Sequence, residues 1–357
     1  MEKLADLCDI QYGYAFDSNC FTEDSSYPQL VRIRDVKRGY SETYYSGEYL
    51  DEYVLADGDL LIGMDGEFNI ARWKVEGALL NQRVCKVTAK EGTNEEYVRF
   101  FLSKCLKQIE ERTSFATVKH LSAKELNKIE IDIPSLEEQN NMADSLAKLE
   151  KVISLRKQEL IHLDGLIKAR FVELFGDITT GNYKYDTRKL GDVANVGSSH
   201  RVFTTEFVES GIPFYRGTEI GELANGNKPL EPYYISEEHY NRLANDDTKP
   251  KVGDLLMPSI CNKGQVWMVD TEEPFYYKDG RVLCISPDRE IFDTKYLEYF
   301  MRAKTLVEYP KLGSGSTFAE FKIFLLKDID VLIPPRDMQE QFADFVKQVD
   351  KSKFAVA

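Results

Sequence analysis

The chain has 357 residues, of which 43% are apolar, 12% aromatic and 30% charged, with a net charge of −14. That length suits two to three domains, and the apolar fraction lets each bury a core. The charge excludes a polycation binding DNA in bulk, the composition excludes gross disorder, and no apolar run approaches the roughly 20 residues of a membrane span.

The opening, MEKLADLCDI, is charged and lacks the apolar core of a signal peptide. The expectation is a soluble protein of a reducing compartment, the cytoplasm. Cys8, Cys20, Cys85, Cys105, Cys261 and Cys284 form no C-x-x-C pair and show no metal spacing. Cys85 and Cys284 lie in apolar runs and read as core thiols.

Strands are predicted at QLVRIRDV (residues 29–36), GDLLIGM (58–64) and ALLNQRVCKV (78–87), followed by a helix over NEEYVRFFLSKCLKQIEER (94–112). KIEIDIP (128–134) is a strand ended by proline, which cannot donate to a sheet ladder and disfavours helix just before it. Ser135 is the N-cap of the next helix, with Glu137 and Glu138 at the positive end of its dipole. Met142, Leu146, Leu149, Ile153, Leu160, Leu163 and Ile167 then follow 4-3-4 spacing, with Arg156 in one slot, and Phe171 and Leu174 continue after a one-residue slip. This is a heptad-like seam on a helix of about 40 residues, about 60 Å long, with Gly165 as a weak point. The alternative is an ordinary amphipathic helix packed on its own domain. Further strands are predicted at VGDLLMPSI (252–260), GQVWMV (264–269) and RVLCISP (281–287), a helix over DTKYLEYFMRAKTLVEY (293–309), and a strand at DIDVLIP (328–334). Met338, Phe342, Phe345 and Val349 restart the seam.

The second half repeats the first. KLADLCDI matches KLGDVANV at an offset of 186, GDLL recurs at 195, QRVCKV resembles GRVLCI at 198, and YVRFFL matches YLEYFM at 199. The junction IDIPSLEEQ returns as VLIPPRDMQ at 200, and TSFATVK (113–119) returns as STFAEFK (316–322) at 203. Collinear markers with a growing offset indicate a duplication whose second copy gained loop insertions. The expected domains are residues 1–134, a central helix at 135–177, residues 178–334, and a shortened second helix at 335–357. So short a helix is expected to leave Leu163, Ile167 and Phe171 less well covered.

Catalytic patterns are missing. GSGST (313–317) lacks the lysine of a phosphate loop, and neither F-x-G-x-G nor the N-P-P-Y or D-P-P-Y of an adenine methyltransferase occurs. His120, His162, His200 and His239 are scattered, and Asp288, Glu290, Asp293 and Lys295 read better as a turn entering a helix than as a nuclease site.

Candidate nucleic-acid contacts recur in both copies. The first copy offers Arg32, Arg34, Lys37 and Arg38 around one strand, with Arg32 and Arg34 on a shared face. Its later loops carry Asp65, Asn69 and Arg72, then Asn81, Gln82 and Arg83. The second copy offers Arg216, Thr218, Asn262, Lys263, Gln265, Lys278 and Arg281. Arginine suits guanine edges or phosphates, and Asn or Gln suits adenine edges. The bland reading of any one cluster is a solvated charged edge.

In these segments the chain resembles the specificity (S) subunits of Type I restriction–modification enzymes. GDLLIGMDGEFNIARW, LLNQRVCKV, IPSLEEQ, IPPRDMQEQ and LIKARFVELFGD carry the resemblance. It implies an α+β fold in which two similar target recognition domains, each a mixed twisted sheet with short helices, are joined by long helices. Those helices form an antiparallel coiled coil. Each domain would read half of a split target on double-stranded DNA, with the helices setting the gap. The chain would be a non-enzyme that docks two methyltransferase (M) subunits, which bind S-adenosylmethionine, and motor-nuclease (R) subunits. It would hold no cofactor or metal itself. Two other readings are a silent or regulatory cassette that binds M subunits without a working target, and a stand-alone enzyme.

Overall fold

A computed structural model describes residues 1–112, 119–246, 248–313 and 319–356. It divides into two compact units, residues 1–155 and 156–357. Four helices organise them: α1 (Glu95–Arg112), α2 (Leu136–Phe175), α3 (Thr294–Glu308) and α4 (Arg336–Val356).

The duplication is visible in the strand order. In the first unit Cys8–Tyr12, Val84–Ala89, Leu60–Gly63 and Ile70–Arg72 form an antiparallel sheet in that order. In the second, Ala194–Gly197, Val282–Pro287, Leu255–Pro258 and Trp267–Met268 repeat it. A second sheet in each unit shares one parallel pair. Leu30–Val31 runs parallel to Ala78–Leu80, and Ile212–Tyr215 runs parallel to Tyr276–Tyr277. Each unit is closed by pairing an early strand with its last, Glu2–Lys3 with Glu130–Ile131 and Thr187–Lys189 with Asp330–Leu332. Cys85 and Cys284 are buried in these sheets, and burial pushes both thiols up to about 12.

Two expected strands are different in the structure. QLVRIRDV keeps only Leu30–Val31 as strand and then turns into a short helix, Ile33–Val36. The buried Asp35 carboxylate accepts the Arg32 backbone N–H at 3.1 Å, a capping contact that ends the extended run. ALLNQRVCKV is two strands, Ala78–Leu80 and Val84–Ala89, separated by a turn at residues 81–83. Of the repeated segments TSFATVK and STFAEFK, only Lys119 of the first and residues 319–322 of the second lie among the described residues. Just after the first segment the Leu121 N–H donates to the Met64 carbonyl, and within the second the Phe321 N–H donates to that of Ser259. Leu121 and Phe321 therefore hold the same place, at an offset of 200 and not 203.

In the second unit α4 pairs antiparallel with the last turns of α2. Phe342 meets Phe171 and Phe175 at 5.4 and 5.6 Å between ring centroids. Further along α4, the Arg170 guanidinium lies over the Phe345 ring, and Lys353 reaches Asp164 at 2.6 Å. Partners thus step back along α2 as α4 advances. Tyr296, Tyr299 and Phe300 of α3 complete the core. The expected weak coverage is corrected here: Ile167, Phe171, Phe342 and Val349 are buried and Leu163 is half-buried. The antiparallel sense puts the shortened helix against the far end of α2. The seam positions left exposed are instead Met142, Leu146, Leu149 and Ile153, while Leu160 is half-buried and Phe345 packs at the core's edge. Within the first unit Met142 and Leu146 line an open apolar groove with Tyr97, Phe100 and Phe101.

Candidate nucleic-acid interface

Five of the sequence candidates converge in the first unit. Arg32, Arg34, Asn81, Gln82 and Arg83 line one groove of 440 Å³ with Phe16, Ser18, Phe21 and Ile33. The cause is strand pairing. Val31 lies opposite Leu80 in a parallel pair, so the residues after both strands emerge at the same edge. The turn is held by the neighbouring chain: Tyr14 donates its N–H to the Leu80 carbonyl at 3.0 Å, and Gln82 donates its own to Tyr14 at 2.7 Å. Gly13 permits this approach, since a Cβ there would stand 2.1 Å from the Asn81 carbonyl oxygen. Arg83 adopts φ 72°, a left-handed conformation that non-glycine residues rarely take.

The remaining first-unit candidates have other duties. Arg38 is paired with the buried Asp35 and lies 5.1 Å from the Tyr40 ring centroid. Lys37 is exposed beside the groove without lining it. Arg72 faces the start of α1, within 2.5 Å of both Glu95 and Glu96, and donates to the Gly58 carbonyl. It ties the edge strand to α1 and does not join the groove. Asn69 donates to the Glu67 carbonyl and shapes its loop. Asp65 accepts from Arg83 and from His120 Nδ1. That ring nitrogen is also 3.3 Å from Arg83 Nη1. One nitrogen cannot donate to a carboxylate and accept from a guanidinium together, and the charged acceptor takes its proton.

The second unit repeats the edge with altered chemistry. Arg216 follows its strand as Arg32 does, and Glu219 accepts its backbone N–H as Asp35 accepts that of Arg32. Burial would raise the Glu219 carboxyl, but hydrogen bonds from Arg216 hold it below its ordinary value. The Arg216 guanidinium also lies 4.4 Å from the centroid of Tyr233, which stacks on Phe207. Thr218 is exposed at the place of Arg34. Lys278 follows the parallel strand as Asn81 does, donating its N–H to the Tyr215 carbonyl. Arg281 is held at 2.7 Å by Glu320. Lys263 instead lines a separate cavity with Lys168, Asp177 and Tyr299, so it is not gathered with Arg216 and Arg281. Asn262 is exposed in the same turn, and Gln265 accepts the Lys263 N–H.

His120 and Glu320 were not singled out from the sequence as partners of Arg83 and Arg281. They lie 37 and 39 residues away from those arginines. The only signal was their closeness to the repeated segments, His120 directly after TSFATVK and Glu320 within STFAEFK. Among the described residues no cluster of His, Cys, Asp and Glu could hold a metal ion, and no helix is long and apolar enough to cross a membrane.

A family model for the Type I restriction modification DNA specificity domain matches residues 1–164 and again 182–356. The chain is 38% identical to the Type I restriction enzyme EcoBI specificity subunit of Escherichia coli, over 98% of this chain and 78% of that protein. It is 22% identical to the Type I restriction enzyme MjaVIII specificity subunit of Methanocaldococcus jannaschii, over 90% and 81%. A crystal structure of a Type-I restriction-modification S subunit from M. genitalium shares the fold, with a TM-score of 0.58 at 13% identity over 99% of this chain and 90% of that one.

Proposed function

The chain belongs to the Type I restriction modification DNA specificity family, and on that premise we propose that it is the DNA-reading subunit of such an enzyme, directing adenine methylation and cleavage by partner subunits. Each unit reads one half of a split duplex target. The observation carrying this reading is the convergence of Arg32, Arg34, Asn81, Gln82 and Arg83 on one groove, together with the recurrence of Arg216, Lys278 and Arg281 at the matching edge. Arginine and amide side chains at such an edge suit base and phosphate contacts, and a local cluster of this kind acts despite the acidic whole.

The chain supplies the address and no catalytic step. S-adenosylmethionine is bound by the partner methyltransferase subunits, and cleavage belongs to the motor-nuclease subunits. Two reading units on a stiff rod bind divalently, so the length of α2 sets the gap between half-sites. The test is selection of duplexes from a random library by the chain assembled with its methyltransferase subunits. A two-part motif with a fixed gap is expected, and removing seven residues between positions 143 and 159 should alter that gap. A single undivided motif, or an unchanged gap, would overturn the reading.

A further inference from the structure

The duplication sets two arginines in the same place. Met64 donates its backbone N–H to the Arg83 carbonyl, and Ser259 donates its own to the Arg281 carbonyl. Residues 121 and 321 then pair with Met64 and Ser259 in both units. Arg83 and Arg281 thus occupy one structural position, and His120 and Glu320 occupy another beside it.

The two anchors differ in chemistry and act on the same atom. Arg83 offers Nη1 to Asp65, whose other contact is His120. Arg281 offers Nη1 to Glu320. Among the described residues, neither Nε nor Nη2 of either arginine has a partner. These side chains are also 52% and 62% exposed, so the anchor leaves the guanidinium open to a ligand. An arginine bound only for stability usually commits its whole fork, as Arg72 does with two glutamates and a carbonyl. Here one N–H fixes the plane and the Nε–Nη2 edge remains, the edge that can meet two acceptors side by side.

The backbone supports the same conclusion. The turn of the second unit is one residue longer, and its left-handed position is taken by Gly280 at φ 62°. In the first unit Arg83 itself takes the left-handed position at φ 72°. A glycine there would fold with less strain, so the side chain is present for another reason.

We propose that Arg83 and Arg281 are the equivalent guanine-reading residues of the two half-sites, with Asp65 and His120 in one unit and Glu320 in the other as positioning residues. The ligand feature is the adjacent O6 and N7 acceptors of guanine in the major groove. The inference rests on the function proposed above and names its specificity-determining atoms.

The test uses the full chain assembled with its methyltransferase subunits and a random duplex library. Arg83→Lys and Asp65→Asn should each lower the preference for guanine by about tenfold at one position of one half-site. Arg281→Lys and Glu320→Gln should do so at one position of the other half-site. Arg83→Gly should lose the same guanine preference while the thermal midpoint holds or rises, an outcome no purely structural role produces. If the wild type selects a split motif but these variants leave every base preference unchanged, the assignment of the arginines falls alone. If the wild type selects no split motif, the proposed function and this inference fall together.

Discussion

The side-chain oxygen of Gln139 accepts the backbone N–H of Asn94 at 2.8 Å. Gln339 does the same for Asp293 at 2.9 Å. Each glutamine also donates from Nε2 to the carbonyl of its own junction proline, Pro134 or Pro334, and to a second carbonyl at the entry to α1 or α3. Both side chains are buried. The glutamine of the repeated I-P junction therefore bolts each long helix to the domain it leaves.

Replacing Gln139 or Gln339 by alanine removes three hydrogen bonds from a buried place and strands backbone groups there. Each substitution is expected to cost about 1–3 kcal/mol, read as a lower denaturant midpoint. A midpoint equal to wild type would show that water replaces the side chain without loss.

The helix pairing predicts a contrast along one seam. Phe171→Ala or Phe342→Ala empties the aromatic core shared by α2, α3 and α4 and should cost about 3–5 kcal/mol. Leu149→Ala and Ile153→Ala, at exposed positions, should stay within about 0.5 kcal/mol in the isolated chain. Equal costs at all four sites would contradict the antiparallel register seen here.

Arg72 and Arg34 should separate stability from recognition. Arg72→Ala breaks the ties to Glu95 and Glu96 and is expected to lower stability by about 1–3 kcal/mol with the selected DNA motif intact. Arg34→Ala should leave the melting temperature unchanged and weaken DNA binding with a smaller salt dependence, since Arg34 is exposed and only 3.9 Å from one carboxylate. Binding titrations at two salt concentrations, beside thermal melts, read both effects.

Burial raises the thiols of Cys85 and Cys284 from 9.0 to about 12. A raised folded value means that the protonated thiol is favoured in the native state. The resulting stability is complete below pH about 9 and is lost as the pH climbs towards 12. At pH 8 iodoacetamide should label the half-buried Cys20 first and spare Cys85 and Cys284 until the chain unfolds. Mass spectrometry of the labelled peptides gives the order, and early labelling of Cys85 would contradict its burial.

Much of the architecture was legible in the residues. The GDLL segments, the two Ile-Pro strand ends and the long helices after them stand where their apolar spacing puts them. The errors fell where a specific side-chain or backbone contact overrides the apolar pattern. Alternation in QLVRIRDV reads as strand, yet the buried Asp35 carboxylate bends the chain after Val31. ALLNQRVCKV reads as one strand, yet Tyr14 and Gly13 fold it at residues 81–83. The shortened helix was expected to starve Leu163, Ile167 and Phe171, whereas its antiparallel sense covers that end.

The sequence by itself determined the duplication, the two sheets with their helices, and the joint at each Ile-Pro. These are periodic or repeated features, and periodicity is written into neighbouring residues. The tertiary structure alone decided which arginines are spent and which remain available. Arg38, Arg72, Arg83 and Arg281 are one residue type, and only Arg38 has its partner close by in the sequence. Asp35 claims the first, Glu95 and Glu96 claim the second, and Asp65 and Glu320 hold the last two by a single nitrogen. An ion pair is set by where the folded backbone brings its partner, and most of these partners arrive from more than fifteen residues away.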